Sequence, residues 1–312
     1  ALAPILLRLL FGLILGLALS EIALAIVDLP KFYQAHSSPP QFTFAQLENS
    51  ELFYINKPSS QIEFIYDSNP RGYFDQKNAV VHTTNSLGFR GENFSEEKPD
   101  NTVRIVFLGD SFTFGEGVKD EDTFTSRLES KLNENSNGTT YQVYNFGVGG
   151  YNTQQSVFLL KNMVLNFEPD IVVLDYTLND AEQKLFYIDE TNNSVQRRAR
   201  EVKIHEGLPD NKPPDTLLFK FRTTKLFWQV SNNKRVTEQT VNYYNSLYQE
   251  DGTHWQQTQD SLQEFSQICG ESDFDCYFVL FPLLFKLDEK YPFHDLHDKV
   301  RAQVEATDIS LI

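Results

Sequence analysis

Short apolar runs alternate with helical patterns through the last two thirds of the chain. Val103-Arg104-Ile105-Val106-Phe107-Leu108 is mostly apolar, is bounded by polar residues and ends in Gly109; helical spacing follows at 123–133. The pattern returns with strands predicted over 141–145, 171–176 and 276–281, and helices over 153–167 and 253–268. A helix over 299–306 and the opening of another strand at 309–312 close the series. A run without an outward polar face suits a strand covered on both sides, and strands separated by helices imply βαβ units. The expected fold class is therefore α/β, a doubly wound parallel sheet flanked by helices.

The start of the chain is a different material. ALAPILLRLLFGLILGLALSEIALAIV carries only Arg8 and Glu21 as charges, although mean hydropathy over all 312 residues is −0.39. A helix over 9–27 would be roughly 28 Å long, close to the ~30 Å hydrocarbon core of a bilayer. The expectation is a transmembrane anchor over 1–28, with the lipid bilayer as the partner of residues 1–27. Arg8 before the apolar stretch and Asp28 after it predict a cytoplasmic N-terminus in the inner membrane and a periplasmic or extracellular main domain. A secretory signal peptide is the competing reading, since Ala23-Leu24-Ala25 resembles a small-x-small cleavage site. Glu21 is the odd residue: a carboxylate at that depth either reaches up to the headgroups or faces protein.

After the anchor, residues 29–99 read as a linker, with Ser37-Ser38-Pro39-Pro40, and a small β-rich lead-in. Its strands are expected at 61–66 and 79–84, with turns at Asn69-Pro70-Arg71-Gly72 and Leu87-Gly88-Phe89-Arg90-Gly91. The main domain takes 100–312, with an insertion at about 182–252 that carries Arg197-Arg198-Ala199-Arg200 and Tyr243-Tyr244. Those residues suit a solvated face and helix packing, or a lid. A net charge of −16 repels phosphate backbones, so nucleic acid is excluded as a partner. Cys269 and Cys276, the only cysteines, suit a small disulfide in an exported compartment, with two free thiols as the alternative. They are too few for a metal site.

Three strand ends carry the chemistry. Gly109-Asp110-Ser111 follows the first buried strand, which puts Ser111 at the carboxyl edge of the sheet, where open α/β folds bind ligands. Asn145-Phe146-Gly147-Val148-Gly149-Gly150 follows the second, and Gly150 can turn a backbone N–H toward a developing oxyanion. Tyr176-Thr177-Leu178-Asn179-Asp180 follows the third and brings the Asn179 amide to the same rim. Ser111 N–H, Gly150 N–H and Asn179 would make a three-donor oxyanion hole. Gly109, Gly115 and Gly117 match neither the phosphate loop with its Gly-Lys-Ser/Thr nor the dinucleotide GxGxxG.

GDSFTFGEG, NFGVGGYNT and LND resemble the first three sequence blocks of the SGNH/GDSL hydrolases, whose fold is SGNH/flavodoxin-like. NSLGFRGENF, VRIVFLGDSFTFGEGVKDEDTF and PDIVVLDYTLNDAEQ are similar to a membrane-anchored bacterial branch of that superfamily. The resemblance implies a serine esterase or acyltransferase acting on an acyl-ester substrate, with catalytic Ser111, Gly150 and Asn179 and no cofactor or metal. It also implies a general-base His three residues after an Asp near the C-terminus. Positions 291 and 294 there are Tyr and His, so the pair is expected beyond Ile312. The alternative is a non-catalytic ancillary subunit on the same fold, with membrane-protein complex partners. His294 and His297 share a metal-like spacing, and an exposed helix start explains them without a third ligand.

Overall fold

The computed structural model describes residues 3–26, 35–37, 42–45, 53–66, 69, 71–134, 136–182, 186–189, 194–197, 216–287, 291–307 and 309–312. Ser38-Pro39-Pro40, Arg198-Ala199-Arg200, Asp28 and His205 lie outside the described residues, as does much of the 182–252 insertion. The chain forms two compact units: residues 1–33 with 201–243, and residues 34–200 with 244–312.

The first unit contains α1 (Ala3–Ile26), a 24-residue apolar helix with no buried residue, long and apolar enough to cross a bilayer. Glu21 finds protein partners. Its carboxylate accepts from the backbone N–H groups of Arg222 at 2.9 Å and Thr223 at 2.7 Å. These open a long helix, Arg222–Leu247, so Glu21 satisfies N–H groups that a helix start leaves unpaired.

Among its described residues the second unit holds twelve short strands: β1 (Ala35–Ser37), β2 (Phe42–Ala45), β3 (Phe53–Asn56), β4 (Gln61–Tyr66), β5 (Ala79–Thr83), β6 (Thr102–Leu108), β7 (Thr140–Asn145), β8 (Ile171–Tyr176), β9 (Phe186–Asp189), β10 (Ser194–Arg197), β11 (Asp275–Leu280) and β12 (Ser310–Leu311). Its helices are α2 (Ser111–Phe114), α3 (Phe124–Glu134), α4 (Thr153–Asn162), α6 (Thr253–Gly270) and α7 (His294–Glu305), with α5 denoting Arg222–Leu247. The central sheet runs β7-β6-β8-β11-β12 and is parallel throughout. Strand order therefore reverses between β6 and β8, and at such a switch point the loops on either side diverge and leave a crevice.

Alternation places Ile105, Phe107, Val143 and Val173 on one face, where Phe124, Leu128 and Leu132 of α3 cover them at helical spacing. Val106, Leu108, Val172 and Leu174 point the other way and are equally buried. The predicted helix at 153–167 ends early: Met163 at φ −140° breaks α4, and a 3-10 turn follows. Cys269 and Cys276 form a disulfide that joins the end of α6 to β11.

The β-rich lead-in forms the antiparallel sheet β1-β4-β5. Ile62, Phe64 and Val80 pack around Phe114, the last residue of α2. The accessory strands thus support the element that begins with Ser111.

Candidate active site

Ser111 is the first residue of α2, a single turn between Asp110 and Gly115. It sits at the carboxyl end of β6 and is half-buried. Asp110 is 3% exposed and is the hub of the site. One carboxylate oxygen caps the turn by accepting from Phe112 N–H at 2.8 Å. The other accepts from Asn179 Nδ2 at 2.7 Å and from the Thr177 hydroxyl at 3.3 Å. The loops after β6 and β8 are therefore fastened together beside Ser111. Burial pushes the Asp110 carboxyl up, and the bonds from Asn179, Phe112 and Thr177 oppose that shift.

Asn179 lies in a 3-10 turn, Leu178–Ala181, whose capping box joins Thr177 and Asp180. Asp180 accepts from Thr177 N–H at 2.8 Å. Its carboxyl is raised well above the ordinary range, first by burial and then by the nearby charge of Asp110. Asp175 is raised likewise, chiefly by burial, and one of its oxygens accepts from the Thr113 hydroxyl at 2.7 Å.

The loop after β7 completes the rim. Val148 N–H donates to Gly109 O at 3.0 Å, tying the second strand end to the first. Gly147 passes so close to α2 that a Cβ there would stand 2.3 Å from Phe114 N. Gly150 has φ +81°, a left-handed conformation that favours glycine. Asn152 caps α4 through Gln155 N–H and donates to Glu182 O at 3.0 Å, which ties this loop to the segment after β8.

Three donors are left over. Among the described residues no hydrogen bond occupies the Ser111 hydroxyl or the Gly150 N–H, and only one of the two Asn179 amide hydrogens is used. All three belong to the strand-end loops that these bonds tie together; the hydroxyl is free to act as a nucleophile, and the Gly150 and Asn179 N–H donors can receive negative charge that develops during a reaction.

Sequence reasoning missed the supports. Tyr151, 2% exposed, donates to Tyr54 O at 2.7 Å, and the Tyr54 hydroxyl donates to Gly149 O at 3.2 Å. Their rings meet edge to face at 5.2 Å, so β3 holds the Gly149-Gly150 loop. Arg90 is 2% exposed. Its guanidinium donates to Asp120 at 2.5 Å, to Phe114 O at 3.1 Å, to Gly115 O at 2.9 Å and to Val118 O. It thereby fixes the chain that leaves α2. The predicted turn at Leu87-Gly88-Phe89-Arg90-Gly91 placed Arg90 correctly in the sequence, but nothing local reveals carbonyls more than twenty residues away.

Sequence reasoning also passed over Asp251 and His254, an Asp-x-x-His spacing earlier in the chain than the resemblance places one. They flank the start of α6; the buried His254 Nδ1 has no partner, and among the described residues no hydrogen bond joins any histidine to Ser111. His82, fully buried, accepts from Gly117 N–H at 3.1 Å. Burial and the nearby Arg90 charge lower its pKa to about 3, so it stays neutral. His297 bonds to the Tyr291 hydroxyl at 2.9 Å, while His294 is exposed. Among the described residues no group of three His, Cys, Asp or Glu side chains could hold a metal ion.

The model of the GDSL-like lipase/acylhydrolase family matches residues 107–263, about half of the chain and all three strand-end loops. Among solved structures the chain is similar to AlinE4, an SGNH-hydrolase family esterase, at 14% identity and TM-score 0.37, over 69% of this chain and 77% of that one. It is similar to TesA at 13% identity and TM-score 0.34, over 67% and 76%. A two-domain esterase active on acetylated mannans is 26% identical at TM-score 0.24, over 25% and 22%. No curated protein matches the chain.

Proposed function

The chain belongs to the GDSL-like lipase/acylhydrolase family, and on that premise we propose that it is a membrane-anchored, extracytoplasmic serine esterase or acyltransferase with Ser111 as nucleophile. The Ser111 hydroxyl attacks an ester carbonyl and gives its proton to the general-base histidine that the family resemblance implies, and the tetrahedral oxyanion receives the Ser111 and Gly150 N–H groups and the second Asn179 amide hydrogen; the ester C–O bond then breaks, the alcohol leaves with that proton, and water or an acceptor hydroxyl takes the acyl group from Ser111. The observation that carries this reading is the contrast around Ser111: Asp110 is fully engaged on both oxygens while the neighbouring hydroxyl is unpaired. Asp110 is then a positioning residue rather than the base, because its oxygens hold Asn179 and the α2 cap.

The apolar helix α1 supports anchoring, with the second unit on the outer side and acyl esters of envelope glycans or lipids as the substrate class. The test is turnover of short p-nitrophenyl esters by the full chain in membranes, compared with Ser111→Ala. Loss of the hydroxyl is expected to lower kcat by at least ~10³-fold, and Asn179→Ala by about 10²–10³-fold. Equal turnover by wild type and Ser111→Ala overturns the proposal.

A further inference from the structure

The first unit carries a surface that the proposed chemistry does not use. Among the described residues outside α1, five of the eleven large exposed apolar side chains fall in one short stretch: Leu217 at 74%, Leu218 at 67%, Phe221 at 51%, Phe227 at 73% and Val230 at 63% exposure. Water alone is a poor neighbour for such a patch. Trp228 and Phe219 stand edge to face within it, ring centroids 6.5 Å apart.

Its position is fixed by hydrogen bonds to the end of α1. Glu21 accepts from the N–H groups of Arg222 and Thr223. The Ser20 and Thr223 hydroxyls meet at 2.9 Å, and Arg222 Nη1 donates to Leu24 O at 2.9 Å. If α1 spans a bilayer, residues 20–24 lie where hydrocarbon gives way to headgroups, and the segment bonded to them lies at that depth. Its charge fits as well. Lys220, Arg222, Lys225, Lys234 and Arg235 fall within 216–237, a stretch without one Asp or Glu in a chain of net charge −16.

We propose that residues 216–230 are a second membrane contact, lying in the plane of the interface beside the anchor with their apolar side chains in the acyl boundary and their cations among anionic headgroups. The inference rests on the membrane-anchored reading of α1. Trp, Phe and Leu together with Lys and Arg are the residue types that in-plane segments combine. Together with α1 the contact gives the chain two attachments at one membrane face.

Trp228 reports on this directly, because the other tryptophan, Trp255, is 1% exposed. The full chain is reconstituted in phosphatidylcholine–phosphatidylglycerol vesicles, and Trp emission is measured with dibrominated acyl chains and with aqueous iodide. Subtracting a Trp228→Phe chain isolates Trp228; the wild-type quenching curve alone still separates an accessible from an inaccessible fraction. Insertion to ~5–10 Å predicts loss of about half of the Trp228 emission to brominated chains and little loss to iodide. Quenching by iodide but not by brominated chains overturns the inference. Protection from both also overturns it and assigns the face to a protein partner. An alkaline carbonate wash separates the two readings: release of the chain defeats the anchor itself. Retention with iodide-accessible Trp228 defeats only the second contact.

Discussion

The two rims of the central sheet each hold a buried arginine, and the pair shows how one physical device serves different ends. At the amino rim Arg104, fully buried, bonds Gln142 Oε1 at 2.9 and 3.0 Å, Glu97 O at 3.1 Å and Phe167 O, with its guanidinium 5.0 Å from the Tyr144 ring centre. At the carboxyl rim Arg90 does the same for Phe114 O, Gly115 O and Val118 O, 5.1 Å from the Phe114 ring centre. Each gathers loop carbonyls that would otherwise be buried without donors. Arg104, however, closes a rim at which Asp170 also pairs with Lys98 and accepts from Arg104 N–H. Arg90 organises a rim whose neighbouring hydroxyl and amide donors stay open. The lesson is that the same support serves both edges of the sheet, and the open donors beside Arg90 set the proposed working edge apart.

The sharpest way to break that contrast is to remove each guanidinium in turn. Arg90→Met and Arg104→Met should each lower the free energy of unfolding by about 3–5 kcal/mol, because buried acceptors lose their partner. Only Arg90→Met should also lower kcat per folded molecule on p-nitrophenyl esters. Denaturant titration and active-fraction kinetics check both, and equal kcat in the two variants ends the distinction.

A smaller effect tests the lead-in beside Arg90. His82 has a folded pKa of about 3, below its unfolded value, so its contribution to stability is complete above pH ~6.5 and is lost as pH falls toward the folded value. Between pH 7 and 5 the wild type should lose about 2 kcal/mol that His82→Gln does not lose. Unfolding midpoints of the two proteins across that window give the answer, and parallel curves refute it. The smallest expected change is Tyr151→Phe, which removes the hydroxyl that donates to Tyr54 O and should cost about 1 kcal/mol in the same denaturation assay.

The legible parts of this molecule are those written in short-range pattern. The strand at 171–176 was bounded correctly because an apolar run stands between Pro169-Asp170 and Thr177. The strand at 61–66 was equally clear, and Ser111, Gly150 and Asn179 stood out as strand-end residues. The last helix was predicted at 299–306 but begins at His294, because its buried stripe of Leu296, Val300 and Val304 starts among polar residues. The supports of the site were not legible. Tyr151 and Tyr54 are 97 residues apart, and Arg90 reaches carbonyls 24 to 28 residues onward. Only the folded sheet brings them together.

At Gly147 the backbone of one strand-end loop lies directly on the first turn of another. With no side chain between them, the loops that carry the proposed nucleophile and the proposed oxyanion donor are in direct backbone contact. A single methyl group at position 147 would act as a wedge between the two halves of the proposed catalytic apparatus.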